Sequence, residues 1–183
     1  MRLRQTKLSA LSVVEVQTIT DERGAFSRWF CMRELAGIFG RREIVQINHS
    51  RTSRIGAVRG LHFQYPPAAE MKCVRCIRGR VCDMAVDLRQ GSPTFLRWHA
   101  EELSPDNGRM MVIPEGFAHG FQVLEEESEL FYLHTAFYTP EAEGGVRFND
   151  PAVGIDWPLA VTDVSGRDRS HPLLDENFAG MQV

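Results

Sequence analysis

The stretch "RGLHFQ", residues 59–64, places a histidine between leucine and phenylalanine. Arg59 stands three residues before His62, and Gln64 stands two residues after it. An imidazole titrates near neutral pH, so it can remove and return protons, and it also ligates metal ions. A lone histidine in an apolar setting is more often a packed structural side chain. His62 alone therefore leaves three roles open: core residue, metal ligand or catalytic base.

Other polar side chains that could join His62 lie in short apolar segments and at their ends. Alternate side chains of a strand share a face, so His62 and Gln64 point one way while Phe63 points the other. Lys72 and Tyr132 share faces with their own alternate neighbours. If these faces line the inside of a β-barrel, they meet at its mouth, where ligand sites often lie. The further candidates are Gln46, Asn48, Arg59, His119, His134 and Tyr138.

A set of these residue types suits proton transfer beside a carbonyl group. A histidine can remove a proton from a carbon next to a ketone. A lysine cation stabilises the enolate oxygen that forms, and a tyrosine on the other side can return a proton. Arginines bind phosphate oxygens, often in bidentate fashion. The pattern therefore predicts deprotonation and reprotonation of a substrate that carries phosphates.

The middle of the chain reads as a series of short strands separated by polar turns. The segments rich in residue types that favour strands are 59–64, 70–77, 81–88, 109–113, 119–124 and 129–138. In the segment 81–88 the apolar side chains share one face, and Asp83 and Asp87 share the other, which indicates half-buried alternation. We expect helices only at 32–40 and near 175–181. The pattern predicts an all-β sandwich or barrel.

Length and composition predict a single domain of 183 residues without a nucleic-acid or membrane partner. The β core should span about 43–140, with the N- and C-terminal extensions packed on it. The formal net charge of −3 provides no bulk attraction to nucleic acid. No apolar run approaches the roughly 20 residues of a membrane span. The N-terminus does not resemble a signal peptide, so we expect a cytoplasmic protein. The four cysteines, including the C-x-x-C pair Cys73 and Cys76, are expected to be reduced structural thiols.

Several motifs occur in an order that resembles one known family. They are "DERGAF", "QINHS", "VRGLHFQYPP", "MKCVRCIRGRVCDMAVDLRQGSPTF", "IPEGFAHGFQVL", "YTPEAEGGVRFNDPAVGIDWP" and "PLL". Together they are similar to dTDP-4-dehydrorhamnose 3,5-epimerases over roughly residues 21–174. The resemblance implies a cupin-like jelly roll, usually a homodimer, that needs no cofactor and no metal. It also implies epimerisation of a nucleotide-linked 4-keto-6-deoxyglucose at C3 and C5, on the route to dTDP-L-rhamnose.

The resemblance assigns four catalytic residues. His62 matches the general base of the family, and Asp168 in "GRD" matches the carboxylate that partners it. Tyr132 matches the proton donor on the opposite face of the sugar ring. Lys72 matches the cation beside the developing enolate. A carboxylate next to an imidazole stabilises the protonated ring and so strengthens the base.

The resemblance also assigns substrate contacts. Arg23, Gln46, Asn48 and Arg59 match residues that bind the diphosphate and the sugar. The further positions are His119, Glu143 and Tyr138, the last being an aromatic residue near the base.

Two predicted binding positions depart from the family pattern. Arg28 stands where the family often has glutamate, which reverses a charge near the expected nucleotide pocket. Arg167 replaces a lysine and keeps the cation. The first change leaves the nucleotide identity open, while neither change touches His62, Lys72 or Tyr132.

Three alternatives stay open beside this interpretation. A metal-dependent cupin could use His119 as a ligand, but Gln64 stands where a second histidine would be needed. A non-catalytic jelly roll could retain the sugar pocket without turnover. Within the family, an enzyme could act at C3 only or at C5 only. The remaining histidines are expected to be structural or exposed: His49, His99, His134 and His171.

Overall fold

A computed structural model describes residues 1–183, and most of them belong to two six-stranded groups of strands and the loops between them. The strands, in chain order, are β1 (Arg2–Gln5), β2 (Ser12–Glu15), β3 (Thr18–Asp21), β4 (Gly24–Ser27), β5 (Gln46–Thr52), β6 (Ala57–Gln64), β7 (Lys72–Arg78), β8 (Val81–Asp87), β9 (Trp98–Leu103), β10 (Arg109–Ile113), β11 (Phe117–Val123), β12 (Ser128–His134), β13 (Glu143–Gly145) and β14 (Asp163–Val164). The helices are α1 (Ala36–Phe39), α2 (Gly166–Ser170) and one 3₁₀ turn (Pro140–Ala142). No helix is long and apolar enough to cross a membrane.

Two antiparallel sheets face each other. The first has the order β1-β2-β10-β7-β12-β5, and the second has the order β13-β6-β11-β8-β9, with β14 paired in parallel to β6. The hairpin of β3 and β4 forms a separate two-stranded sheet. The predicted all-β architecture is therefore confirmed. The N-terminal segment extends the first sheet and the C-terminal segment adds strands to the second.

The apolar residues of the strands separate into layers, as the alternation predicts. A cluster of 14 buried residues lies between the sheets and includes Val74 and Leu130 of the first sheet and Phe121 of the second. Cys73 and Leu133 belong instead to a cluster on the outer face of the first sheet, covered by α1. The neighbouring cysteine of the C-x-x-C motif lies in the inner cluster, so the two thiols point to opposite faces. All four cysteines are free thiols.

The interpretation of β8 as a half-buried strand is wrong. Asp83 and Asp87, predicted on a solvent-facing side, are both 0% exposed. Met84 and Val86, on the other face, pack under the C-terminal segment together with Met181. The carboxylates therefore point into the molecule, and the apolar face is the outer face of the sheet. The alternation correctly predicted which side chains of β8 share a face. It could not predict which parts of the chain cover each face.

The helix predictions are partly wrong. Only α1 forms within the predicted span 32–40, and turns and an isolated bridge at Met181 occupy the predicted C-terminal helix. The helix that forms nearby, α2, begins after Ser165, whose Oγ accepts a hydrogen bond from the Asp168 N–H at 3.0 Å. The motif "SGRD" is thus a short capping sequence. Strand β9 was also missed, whereas 109–113 was predicted with its observed bounds.

Strands β6 and β11 approach closely where β6 carries the site. The register between them shifts at Gly120, between His119 and Phe121. A Cβ at Gly120 would lie 2.6 Å from the carbonyl oxygen of Arg59 and 2.8 Å from Cδ2 of Leu61. Both neighbours are strand residues with little freedom to move, so only glycine fits.

Gly120→Ala is expected to lower the free energy of unfolding by about 1–3 kcal/mol, because the added methyl group overlaps backbone. Gly166→Ala is the matched control, since nothing lies within 4 Å of its Cβ position. The control should change stability by less than about 0.5 kcal/mol in urea titrations. Equal stability of the two variants would contradict the close approach.

Candidate active site

A cavity of about 780 Å³ opens between the two sheets. The inward faces of five strands line it: β5 and β12 with β7 from the first sheet, and β6 with β11 from the second. The segment that leads into α2 closes one side. A cavity of this size suits a ligand larger than a simple sugar. Most of its polar side chains are already hydrogen-bonded to one another.

His62 and Asp168 form the first pair of the cavity wall. His62 Nε2 lies 2.8 Å from Asp168 Oδ1, and the Gly60 N–H donates to Asp168 Oδ2 at 3.0 Å. Burial raises the pKa of Asp168, but the hydrogen bonds from His62 and Gly60 and the charge of His62 outweigh it and lower the pKa to about 2. The carboxylate is therefore ionised at neutral pH and stabilises a protonated His62.

Tyr132 stands on the facing sheet, in β12. Its hydroxyl lies 3.0 Å from Ser50 Oγ, and its ring stacks on His134 with centroids 6.0 Å apart. His119 meets the same ring edge-on at 6.2 Å. Burial raises the pKa of Tyr132, although the hydrogen bond from Ser50 opposes it. Tyr132 is thus protonated at neutral pH and held in one orientation.

Lys72 belongs to a charge network at the base of the cavity. Its Nζ lies 2.9 Å from Glu70 Oε1, and His134 Nδ1 lies 2.6 Å from Glu70 Oε2. Asn48 Nδ2 lies 3.3 Å from Nε2 of the same histidine. Burial raises the pKa of Glu70, but the contacts with His134 and Lys72 lower it to about 2. The ionised carboxylate fixes the lysine at the cavity surface.

His119 is held by Asp83 on the adjacent strand β8. The two side chains meet at 2.8 Å, and Asp83 Oδ2 is buried without a hydrogen-bond partner. Burial raises the pKa of Asp83, against the charges of His119 and Lys72. Three histidines of the cavity wall, His62, His119 and His134, are thus each paired with a carboxylate.

The chain matches a family model described as dTDP-4-dehydrorhamnose 3,5-epimerase over residues 5–176. The chain belongs to this family. The enzyme of that name from Salmonella typhimurium is 41% identical over 174 residues, which cover 94% of each chain. The predicted class of activity, a carbohydrate epimerase, is confirmed.

Solved structures of the family superimpose closely. The dTDP-4-dehydrorhamnose 3,5-epimerase of Elizabethkingia anophelis NUHP1 has a TM-score of 0.91 and 38% identity, and the match covers 97% of this chain and 98% of that one. The enzyme of Legionella pneumophila Philadelphia 1, solved in complex with dTDP-4-keto-L-rhamnose, has a TM-score of 0.90 and 36% identity, with 100% and 98% of the two chains covered. The cupin-like jelly roll predicted from the motifs is the fold of these epimerases.

Three further predicted residues lie at the rim of the epimerase cavity. The Tyr138 hydroxyl donates to Glu143 Oε2 at 2.7 Å, and Arg167 forms an ion pair with the same carboxylate. Burial raises the pKa of Glu143, but the contacts with Tyr138 and Arg167 lower it overall. The rim is thus a hydrogen-bonded group that joins β13, α2 and the loop after β12.

Arg59 lines the cavity with an exposed guanidinium. Its Nε donates to Thr52 Oγ1 at 2.8 Å, which leaves other N–H groups of the guanidinium directed outward.

Gln46 does not line the cavity itself. Its side chain instead supports two residues that do, because it donates to Asn48 Oδ1 at 3.2 Å and accepts from the Tyr138 N–H at 3.0 Å.

Gln64 holds loops together. Its Nε2 donates to the carbonyl oxygens of Ala68 and Phe137, and its Oε1 accepts from the Thr139 N–H at 2.7 Å. The amide is thus fully occupied by backbone groups, and the segment that carries Tyr138 depends on it. This geometry does not suit a metal ligand beside His119.

Arg23 and Arg28 do not line the cavity of their own chain. Arg23 lies at the β3–β4 turn, is paired with Asp21 at 2.6 Å and has 89% of its side chain exposed. Arg28 follows β4 and pairs with Glu34 at 2.6 Å. The reversed charge at Arg28 is therefore balanced locally, away from the cavity of the same chain.

Several residues of the site were not predicted from the sequence. His49 and His134 were expected to be structural or exposed, yet both line the cavity, and neither Glu70, which lines it, nor Asp83, which lies behind His119, was singled out. The sequence did indicate the position of His134, because this residue shares a strand face with Tyr132. No local pattern pairs Asp83 with His119, since the two meet only across the β8–β11 ladder. His49 pairs with Glu129 on the surface and His99 pairs with Glu101.

The low pKa of Asp168 predicts a pH-dependent contribution to stability. Because the pKa falls from 3.8 to about 2 on folding, the contact stabilises the protein fully above about pH 4 and is lost as the pH falls toward 2. The shift corresponds to about 2 kcal/mol. Asp168→Asn should lower the free energy of unfolding by about that amount at pH 6 and by about half as much at pH 3.

Urea titrations at the two pH values measure this difference. Asp156→Asn, at an exposed position, is the matched control and should stay within about 0.5 kcal/mol of the parent protein. A stability difference for Asp168→Asn that is the same at both pH values would contradict the assignment.

Proposed function

We propose that the protein converts dTDP-4-dehydro-6-deoxyglucose to dTDP-4-dehydro-L-rhamnose by moving protons at C3 and C5, next to the C4 ketone. One observation carries the proposal. In a chain of this family, His62 projects from β6, with Asp168 of α2 beside it, into the same cavity into which Tyr132 projects from the facing sheet. Inversion of a carbon needs a base and an acid on opposite faces of the sugar, and the two sheets supply them.

His62 acts first as the base. The C–H bond next to the ketone breaks, its proton passes to His62 and its electron pair moves to the ketone oxygen, which becomes an enolate. Asp168 stabilises the imidazolium, because it remains ionised at a distance of 2.8 Å. The pair is buried on the carboxylate side and one-third exposed on the histidine side. The histidine therefore faces the substrate while its partner stays away from water.

Lys72 stabilises the enolate. Glu70 and His134 hold its ammonium group at the cavity surface, and the negative charge of the ketone oxygen develops there. A cation already in position requires no reorganisation during the reaction. His119, which Asp83 holds from behind, lines the same cavity from the facing sheet.

Tyr132 completes the inversion by adding its phenolic proton to the carbon from the other face. The raised pKa keeps the phenol protonated until the enolate needs it. Both groups are then reset by proton exchange with water, so the catalyst is unchanged at the end of the cycle. Arg59, Asn48 and Arg167 remain as donors toward the diphosphate and sugar, with Tyr138 and Glu143 at the rim.

The experiment that tests this function follows substrate hydrogens by NMR in D₂O. We expect the purified protein to introduce deuterium at C3, at C5 or at both, and the order of labelling identifies which carbons react. His62→Ala should reduce exchange by at least about 10³-fold, because removal of a catalytic base of this kind costs 10²–10⁴-fold. His99→Gln, outside the cavity, should exchange at the parent rate. Undiminished exchange by His62→Ala would remove the histidine from the mechanism.

Tyr132→Phe separates deprotonation from inversion in the same assay. The base is intact, so solvent deuterium should still enter at one carbon. Formation of the inverted product should fall at least about 10²-fold, because the proton donor is missing. If this variant forms the inverted product at the parent rate, Tyr132 is not the donor.

We also propose that the protein is a homodimer, as expected from the sequence. Ile19 and Phe26 lie opposite each other in the β3–β4 hairpin and are 63% and 67% exposed. An isolated two-stranded hairpin is marginally stable by itself, and an exposed apolar patch on it favours a covering surface. A second copy would cover the hairpin and bring Arg23, at its turn, to the cavity of the other copy. The cytoplasmic location likewise remains our proposal.

Sedimentation equilibrium should give about twice the chain mass of 20.8 kDa. Phe26→Glu should shift the mass toward that of one chain, since a charge is unfavourable in an apolar interface. Leu173→Glu, an exposed leucine outside the hairpin, is the control and should leave the mass unchanged. A monomeric parent protein would overturn the proposal.

A further inference from the structure

A third side chain lies beside the His62–Asp168 pair on the side away from the substrate cavity. One ring nitrogen of His62, one of His171 and one carboxylate oxygen of Asp168 lie within 4.8 Å of one another. The two imidazole rings meet edge-on, with centroids 6.0 Å apart and planes at 68°. His171 does not line the substrate cavity. The group therefore consists of the catalytic pair and one histidine that the reaction does not use.

The position of His171 is built into the fold. Its residue directly follows α2, and its carbonyl oxygen accepts a hydrogen bond from Arg147 Nε at 2.8 Å. The tip of its ring lies over Gly145, where a Cβ would overlap the ring. Gly145 is the partner of His62 in the β6–β13 ladder, so the absent side chain opens the space beside His62. Nε2 of His171 is buried and has no hydrogen-bond partner.

We propose that His62, Asp168 and His171 form a binding site for a divalent transition-metal ion such as Zn²⁺, and that the bound ion inhibits the epimerase. Two imidazoles and one carboxylate are a ligand set that proteins use for zinc, with the fourth position left to water. Tetrahedral bonds of about 2.0–2.1 Å place ligand atoms about 3.3 Å apart. The three ligand atoms lie within 4.8 Å of one another, so binding of the ion draws them together by up to about 1.5 Å.

Inhibition follows from the electronic structure of an imidazole. If His62 binds the ion through one nitrogen, its only remaining proton stays on the other nitrogen, and no lone pair is left to accept a proton from substrate. The ion also replaces the hydrogen bond from His62 to Asp168. This site differs from that of a metal cupin, because it involves neither His119 nor Gln64 and supports no catalysis.

Isothermal titration of the metal-free full-length protein with ZnCl₂ at pH 7 tests the site directly. We expect one ion per chain in the parent protein. His171→Gln should raise the dissociation constant for Zn²⁺ at least about tenfold. Asp168→Asn should raise it by a similar factor. His99→Gln, which changes a histidine outside the cavity that is paired with Glu101, is the matched control and should bind as the parent does. Circular dichroism confirms that each variant is folded.

The deuterium-exchange assay provides a second arm. Zn²⁺ should stop exchange by the parent protein and by His99→Gln, chelation should restore it, and His171→Gln should exchange in the presence of the same Zn²⁺ concentration. Equal Zn²⁺ affinity in the parent and His171→Gln would overturn the proposal, as would loss of binding in His99→Gln. The inhibition rests on the proposed function, whereas the titration does not. A chain that binds Zn²⁺ through His171 without exchanging substrate hydrogen would therefore refute the function alone.

Discussion

The contact between Asp168 and strand β6 joins the end of the chain to the centre of the fold. One carboxylate oxygen accepts from the His62 ring, and the other accepts from the Gly60 N–H. Both partners belong to the same strand, so the carboxylate fixes the backbone and the side chain of that strand together. Asp168 itself is held at the first turn of α2 by the cap at Ser165. Without this helix the histidine would lack both its orientation and its counter-charge.

Burial of charge inside the barrel is the second constraint. Three histidines that line one cavity each meet a carboxylate, in the pairs His62–Asp168, His119–Asp83 and His134–Glu70. Isolated charges at these depths would destabilise the protein strongly, and paired charges only approximately offset their desolvation. Stability alone therefore does not explain the arrangement. A rigid set of polar groups that needs no reorganisation is what proton transfer to and from a carbon requires.

The outer layers allow the interior to be polar. The C-terminal segment covers one face of the second sheet, and α1 covers one face of the first. The apolar burial that stabilises the fold is thus divided among an inner cluster and two outer clusters. Because part of the apolar contact lies outside the barrel, one end of the interior can hold water-accessible charges. The β3–β4 hairpin has no such cover within its own chain.

Most strands of the β core, the face on which His62, Lys72 and Tyr132 lie, and the family itself followed from the sequence, because period-two alternation and ordered motifs are local properties. Strand β9 did not. The sequence did not predict the burial of Asp83, the Glu70 network or the position of His171 beside the catalytic pair. Each of these depends on a neighbour distant in the chain. The C-terminal helix was displaced from its expected position for a related reason. The capping sequence at Ser165 could be read locally, but the contact of Asp168 with His62 spans 106 residues. Residue types and their alternation determined which groups could do chemistry, and only the packing of the two sheets and the C-terminal segment decided which of them meet.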